Sequence, residues 1–150
     1  MREHISFLSV FVVLGFAIFM INMGSHDILK TEKDYIVSAK EMANELSVVD
    51  VYDNYFKDLN KDVVFLDVRE KDELKEGVIP GARWIPRGML EFRVSSIIPK
   101  DTKKLIVVYS ETGERSLLAT KILNEMGYKA VSMKGGIRKW IENGFPVTFQ

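Results

Sequence analysis

The stretch LIVVYSETGER, Leu105 to Arg115, decides the fold. Its first five residues form a compact apolar run with Ile106, Val107 and Val108 β-branched in succession, the composition of a strand buried on both faces. Ser110 ends the run, and Ser110 to Arg115 joins it to a helix predicted over Glu114 to Met126. In a loop that leads from a buried strand into a helix, successive backbone N–H groups can point into one concavity backed by the positive end of the helix dipole, which makes a cradle for an anion. The first position of such a loop is also where a cysteine would be activated, its thiol pKa drawn from ~8.5 towards neutrality. Here that position is a serine.

Working outward, Val63 to Leu66 repeats the strand pattern and ends at Asp67, and Ala130 to Met133 does so ahead of Gly135 and Gly136. Helical patterns alternate with these runs at Asp72 to Glu76, Gly88 to Ile97 and Ile137 to Asn143. The alternation predicts an α/β fold with a central parallel sheet flanked by helices, and a ligand crevice beyond the carboxyl ends of the strands, just after Leu66, Tyr109 and Met133. Upstream, Ile36 and Val37 read as a short strand, with Ser38 as N-cap and Glu41 three residues on opening a helix from Ala39 to about Leu46. Val48 to Asn60 reads as partly helical, because Val51, Tyr55 and Leu59 share a face among turn-forming Asp and Asn residues. Gly135 and Gly136 suit a tight strand-to-helix turn. Ile137 and Trp140 suit the core, and Trp84 with Ile85 either the core or a partly exposed place beside the crevice.

The N-terminus is different in kind. Ile5 to Ile21 reads ISFLSVFVVLGFAIFMI, without a charge. As a helix it would extend ~26 Å against a hydrocarbon core of ~30 Å, enough for a slightly short span. The small residues of a cleavage site are missing around Asn22 to Gly24, which favours an uncleaved anchor over a signal peptide. The expected organisation is a membrane anchor (or signal peptide) at 1–23, a polar tether at 24–34 and a globular domain at 35–150. Positive charges before and after the segment do not fix its orientation, and its signal-like position suggests an extracytoplasmic domain.

Composition removes several classes of function. Lys plus Arg equals Asp plus Glu, 21 against 21, so no basic field recruits nucleic acid. With no cysteine there is no disulfide, thiolate metal site or iron–sulfur cluster, and no cluster of His, Asp and Glu has metal-ligand spacing. Neither a metal nor a cofactor is expected, and no G-x-G-x-x-G fingerprint occurs. A serine hydrolase is disfavoured at Ser110, since the two histidines, His4 and His26, lie in or beside the apolar segment and no G-x-S-x-G elbow exists.

Five segments taken together resemble the single-domain rhodaneses, the thiosulfate sulfurtransferase-like family: VSAKEM (Val37 to Met42), FLDVRE (Phe65 to Glu70), GVIPGARWIP (Gly77 to Pro86), VVYSETGERSLLA (Val107 to Ala119), and GGIRKW with GFPV towards the C-terminus. The resemblance implies a loop whose first residue is a cysteine that takes sulfane sulfur as a persulfide and passes it to an acceptor. It also implies that a six-residue loop, Ser110 to Arg115, belongs to the sulfur branch, phosphatase relatives having one residue more. The family often has a histidine where this chain has Val78.

Ser110 stands at the nucleophile position. A hydroxyl is neither ionised by such a cradle nor able to hold sulfane sulfur in an S–S bond, so persulfide turnover is expected to be absent. The bland reading of Ser110 is a loop hydroxyl bonded to backbone near the helix start. Glu111, Thr112, Gly113, Glu114 and Arg115 complete the candidate ligand loop. At ~8 Å each of the two carboxylates costs an incoming anion roughly 0.5–2 kcal/mol, with Arg115 expected to offset one of them. Asp67 and Arg69 match the family's D-V-R motif, and with Glu73 they are read as a tie between loops rather than an acid or base. The expected function is a membrane-tethered, catalytically silent rhodanese-like domain that binds a protein partner or a small sulfur-containing anion through this loop. Two alternatives stay open: an active sulfurtransferase member seen as a Cys-to-Ser variant, and a purely structural membrane-associated assembly domain.

Overall fold

A computed structural model describes residues 30–58 and 62–149, and Asp34–Gln150 forms one compact unit. The expected span at residues 5–21, its flanks and its orientation lie outside the described residues. Among the described residues no helix is long and apolar enough to cross a membrane.

Five strands, β1 (Glu45–Ser47), β2 (Val63–Asp67), β3 (Arg83–Trp84), β4 (Leu105–Tyr109) and β5 (Ala130–Lys134), form one sheet in the order β1-β5-β4-β2-β3. Every pairing is parallel. β2 and β4 run in register from Val63 opposite Leu105 to Asp67 opposite Tyr109, so the residues that follow them, Val68 and Ser110, emerge side by side at one edge. β5 is offset on β4, with Val108 opposite Ser132.

The alternation of side chains along β4 explains why its sequence is apolar throughout. Ile106 and Val108 point to one face and pack with Leu66, Leu90, Val94, Ala119 and Leu123. Val107 and Tyr109 point to the other and pack with Phe65, Met133, Ile137 and Trp140. A strand covered on both faces has no side to leave polar. The first layer is closed by α3 (Leu90–Ile97) and α4 (Glu114–Glu125), the second by α2 (Val48–Val51), a single π turn (Tyr52–Phe56) and α5 (Gly136–Glu142). Trp140 is fully buried and donates its indole N–H to the Pro146 carbonyl at 2.8 Å, while Tyr52 stacks on Phe145 at 4.0 Å. A short antiparallel bridge between Val78 and Thr148 ties the C-terminal segment to the β2–β3 connection.

The N-terminal part of the domain corrects the sequence reading. Ile36 and Val37 are not a strand, and Ser38 caps nothing: all three lie inside α1 (Glu32–Met42), which starts within the expected tether. The local β-branched pair is overridden by a longer helical periodicity, since Ile36, Ala39 and Ala43 line one face and pack on Leu117 of α4. The chain then turns into β1, which had been expected to be helical up to Leu46. Ser47 caps the next helix instead, its hydroxyl accepting the Asp50 N–H at 3.1 Å. The Asp72 to Glu76 segment is a 3₁₀ helix, Lys71–Glu76, and α3 is preceded by a 3₁₀ turn at Arg87–Met89.

Candidate functional site

β4 delivers Ser110 to the carboxyl edge of the sheet, where its residue is 1 % exposed. Two carbonyls of the loop are turned outward: Ser110 O accepts the Ile137 N–H at 2.8 Å and Glu111 O accepts the Arg138 N–H at 3.2 Å. Because C=O and N–H of a trans peptide point in opposite directions, the amides of Glu111 and Thr112 face away from α5. This clamp requires close approach of two backbones. Gly136, at φ +61°, sits against the Ser110 and Glu111 carbonyls where a Cβ would overlap both oxygens. Gly113, at φ +105°, makes the left-handed turn into α4.

The centre of the loop is occupied by the Ser110 hydroxyl. Its Oγ accepts the Gly113 N–H and the Ser116 N–H, each at 3.2 Å. Ser116 Oγ donates to Gly113 O at 2.8 Å and lies 3.0 Å from Ser132 Oγ, and Ser110 Oγ lies 3.5 Å from Ser116 Oγ. Ser116 and Ser132 are fully buried. The reading of Ser110 as a hydroxyl bonded to backbone at the start of the helix is what the geometry shows. The supporting serines carried no motif signal and were missed; a polar residue on the buried period of a strand, as Ser132 is on β5, was the available clue.

Asp67 and Arg69 form a buried tie. Arg69 has no exposed surface and donates through Nε and Nη2 to both Asp67 oxygens at 2.7–3.1 Å, while Asp67 Oδ1 also accepts the Arg69 amide at 3.0 Å. Nη2 donates to Gly77 O at 2.8 Å and Nη1 to Glu73 O at 3.0 Å. The guanidinium thus staples the segment between β2 and β3 to the end of β2. Burial works against its charge, but hydrogen bonding and attraction from Asp67 outweigh it and hold the Arg69 pKa above its ordinary value. Tyr109 accepts the Ile79 N–H at 3.2 Å beneath Arg69, and burial, reinforced by the Asp67 charge, pushes its phenol far above the usual range. Trp84 is half-buried and donates its indole N–H to Arg69 O at 2.9 Å.

Arg115 makes its direct ion pair outside the loop and meets the Glu111 charge only at longer range. It forms a two-point ion pair with Glu73, through Nη1–Oε2 at 2.6 Å and Nη2–Oε1, and Glu73 Oε2 also accepts the Glu70 amide at 2.9 Å. Glu111 is met instead by Arg138, whose Nε and Nη2 lie 3.1 and 3.0 Å from Oε1. Glu114 and Thr112 are exposed, and Glu114 takes the first turn of α4, where the dipole favours a carboxylate. The pairings were illegible because the partners lie 42 and 27 residues apart.

The hydrogen bonds from Arg115 hold the Glu73 carboxyl below its ordinary 4.5. A carboxylate depressed in the folded state stabilises fully above its unfolded pKa and loses that contribution as pH falls through the folded value. Both side chains are partly exposed, so the pair is expected to contribute about 1 kcal/mol. A double-mutant cycle with Glu73→Gln and Arg115→Met, measured by urea denaturation, should show that coupling at about pH 7 and a declining one as pH is lowered below the ordinary carboxylate range. A coupling unchanged over that fall in pH would contradict the assignment.

Comparison with known proteins agrees with this geometry. A family model of the rhodanese-like domain matches residues 39–143. The chain is 35% identical over 88 residues to a sulfurtransferase of Allochromatium vinosum, a match covering 58% of this chain and 79% of that one. Among solved structures, a protein of unknown function from Rhodopseudomonas palustris, described as a possible tyrosine phosphatase, superposes with TM-score 0.73 at 30% identity, over 82% of this chain and 98% of the other. A rhodanese-related protein from Thermoplasma volcanium gives TM-score 0.62 at 34% identity, over 71% and 99%. With its parallel sheet, its tight strand-to-helix turn at Ser110 to Gly113 and a family match over residues 39–143, the chain belongs to the rhodanese-like family.

Proposed function

We propose that this protein is a rhodanese-like domain without sulfur turnover, tethered to a membrane through residues 5–21 with the domain on the extracytoplasmic side, that binds a protein partner or a small sulfur-containing anion at the Ser110–Arg115 crevice. The observation that carries the chemical half of this reading is the Ser110 hydroxyl, buried where the Gly113 and Ser116 amides converge. In sulfane transfer a thiolate attacks the outer sulfur of thiosulfate, the S–S bond breaks, and sulfite leaves with the electron pair. The enzyme persulfide then gives its outer sulfur to a nucleophile such as cyanide and regenerates the thiolate. Two neutral amide donors do not ionise an alcohol at neutral pH, and the chain has no cysteine elsewhere to take the role. The tether rests on the uncharged apolar run Ile5 to Ile21.

The purified full chain is expected to give no thiosulfate-to-cyanide turnover above a buffer blank; turnover above the blank would overturn the reading. Ser110→Cys is the complementary test. Its sulfur would inherit the two amides and the α4 dipole, so the variant is expected to gain one sulfur atom in mass on exposure to thiosulfate and to lose it to cyanide. Failure of Ser110→Cys to take up sulfur would mean that the crevice has been redirected beyond the loss of its nucleophile.

A further inference from the structure

Glu111 joins two arginines, of which Arg138 lines a cavity and Arg69 does not. Its Oε1 accepts from Arg138 Nε and Nη2, and its Oε2 lies 4.0 Å from Arg69 Nη1. Of the five guanidinium hydrogens of Arg69, those on Nε and Nη2 and one on Nη1 are taken by Asp67, Gly77 O and Glu73 O. One hydrogen on Nη1 remains, facing an oxygen that is itself buried without a hydrogen-bond donor. A cavity of about 390 Å³ opens beside this junction, lined by Glu76, Glu111, Ile137, Arg138, Ile141 and Glu142. Glu111 lines it and reaches Arg69, which does not line it.

We propose that the Glu111 carboxylate is an internal plug in an oxyanion site formed by Arg69 and Arg138, and that a small oxyanion entering the cavity takes its place between the two guanidinium groups. This rests on reading the Ser110–Arg115 crevice as the ligand site. With Asp67 already on Arg69 and Glu111 on Arg138, the two guanidinium charges are compensated within the chain, and the cavity rim, with Glu76 and Glu142, is acidic. The plug is loosely held. Its pairing with Arg138 is at the surface, where such bonds contribute little, and its contact with Arg69 stops short of a hydrogen bond. The loop backbone is pinned through Glu111 O to Arg138 N, so exchange needs a side-chain rotation and no backbone movement. The chain carries in cis the competitor of its own ligand.

Thiosulfate and, in a separate arm, sulfate are titrated into the full chain in zwitterionic detergent, with Ser110 in place, following the amide resonances of Glu111 to Gly113 and the Arg138 side-chain Nε by NMR. Glu111→Ala is expected to bind at least about tenfold more tightly than the unsubstituted protein. Glu111→Gln, which removes the charge and keeps the size, is expected to gain in the same direction, covering the case in which the smaller side chain lets the loop collapse. Arg138→Ala added to Glu111→Ala should remove the gain. Glu142→Ala deletes a carboxylate of the same cavity that pairs with Lys139 and with neither arginine, and should gain less than about twofold.

The proposal is overturned if neither Glu111 variant binds more tightly, if the gain survives Arg138→Ala so that the anion sits on the loop amides, or if Glu142→Ala gains as much. These outcomes are separate from the turnover test. A silent enzyme with no anion gain at Glu111 leaves the non-turnover reading standing, while turnover by the Ser110 protein would leave the plug untouched.

Discussion

Gly136→Ala is expected to destabilise the domain by about 3–5 kcal/mol, enough to unfold it or leave it marginal, in urea denaturation followed by the fluorescence of buried Trp140. Two costs combine at this residue. The backbone is left-handed, at φ +61°, which a side chain tolerates poorly, and a Cβ would overlap the Ser110 and Glu111 carbonyl oxygens, which are backbone and cannot swing aside. Relieving the overlap means pulling α5 off the loop and losing the bonds from Ile137 N and Arg138 N. Gly144 separates the two terms. It too is left-handed, at φ +72°, but nothing lies within 4 Å of a Cβ there, so Gly144→Ala should cost only about 1 kcal/mol. Equal losses at the two glycines would mean that close approach contributes nothing and that the loop is not clamped by α5.

That contrast also shows what the sequence could and could not disclose. β2, β4 and β5 were legible because strands buried on both faces are apolar at most positions, and the helices between them because the period changes from two to about 3.6. β1 and β3 were missed for the complementary reason: they are edge strands of three and two residues, half-exposed, and Glu45–Ser47 and Arg83–Trp84 contain no run to detect. α1 was misread because Ile36 and Val37 dominate a short window, whereas the buried face that decides it, Ile36, Ala39 and Ala43, is made partly of alanines that carry little hydropathy signal. At the site, the helix start at Glu114 and the fate of the Ser110 hydroxyl followed from local rules, while the loop itself ends at Gly113 rather than Arg115. The charge pairs did not. Arg115 stands beside Glu114 in sequence yet binds Glu73, and Glu111 is met by the first turn of a helix that no motif links to it. Long side chains choose partners by where the topology brings elements together, which depends on strand order, and strand order is not written in any one segment.

Arg69→Met is expected to cost about 3–5 kcal/mol, and the reason bears on what Asp67 is for. The substitution keeps most of the volume, so a cavity is not the cause. It leaves the Asp67 carboxylate, 1 % exposed, without its main charge partner, and removes the donors to Gly77 O and Glu73 O. Asp67→Asn is expected to be nearly as harmful, since it leaves a fully buried guanidinium short of its counter-charge. The double substitution should be less destabilising than the sum of the two by about 2 kcal/mol or more, because the second change removes the group that the first left uncompensated. If the two losses simply add, the pair is not the tie that its geometry describes. The same variants test the alternative of an acid or base at Asp67. In a Ser110→Cys background, a structural tie predicts that sulfur uptake by the molecules still folded is kept when Asp67→Asn is offset by lowered temperature, whereas a proton-transfer role predicts its loss at every temperature. The first outcome is expected, because both Asp67 oxygens already accept from Arg69, whereas the Ser110 hydroxyl is bonded to Gly113 and Ser116 and not to Asp67.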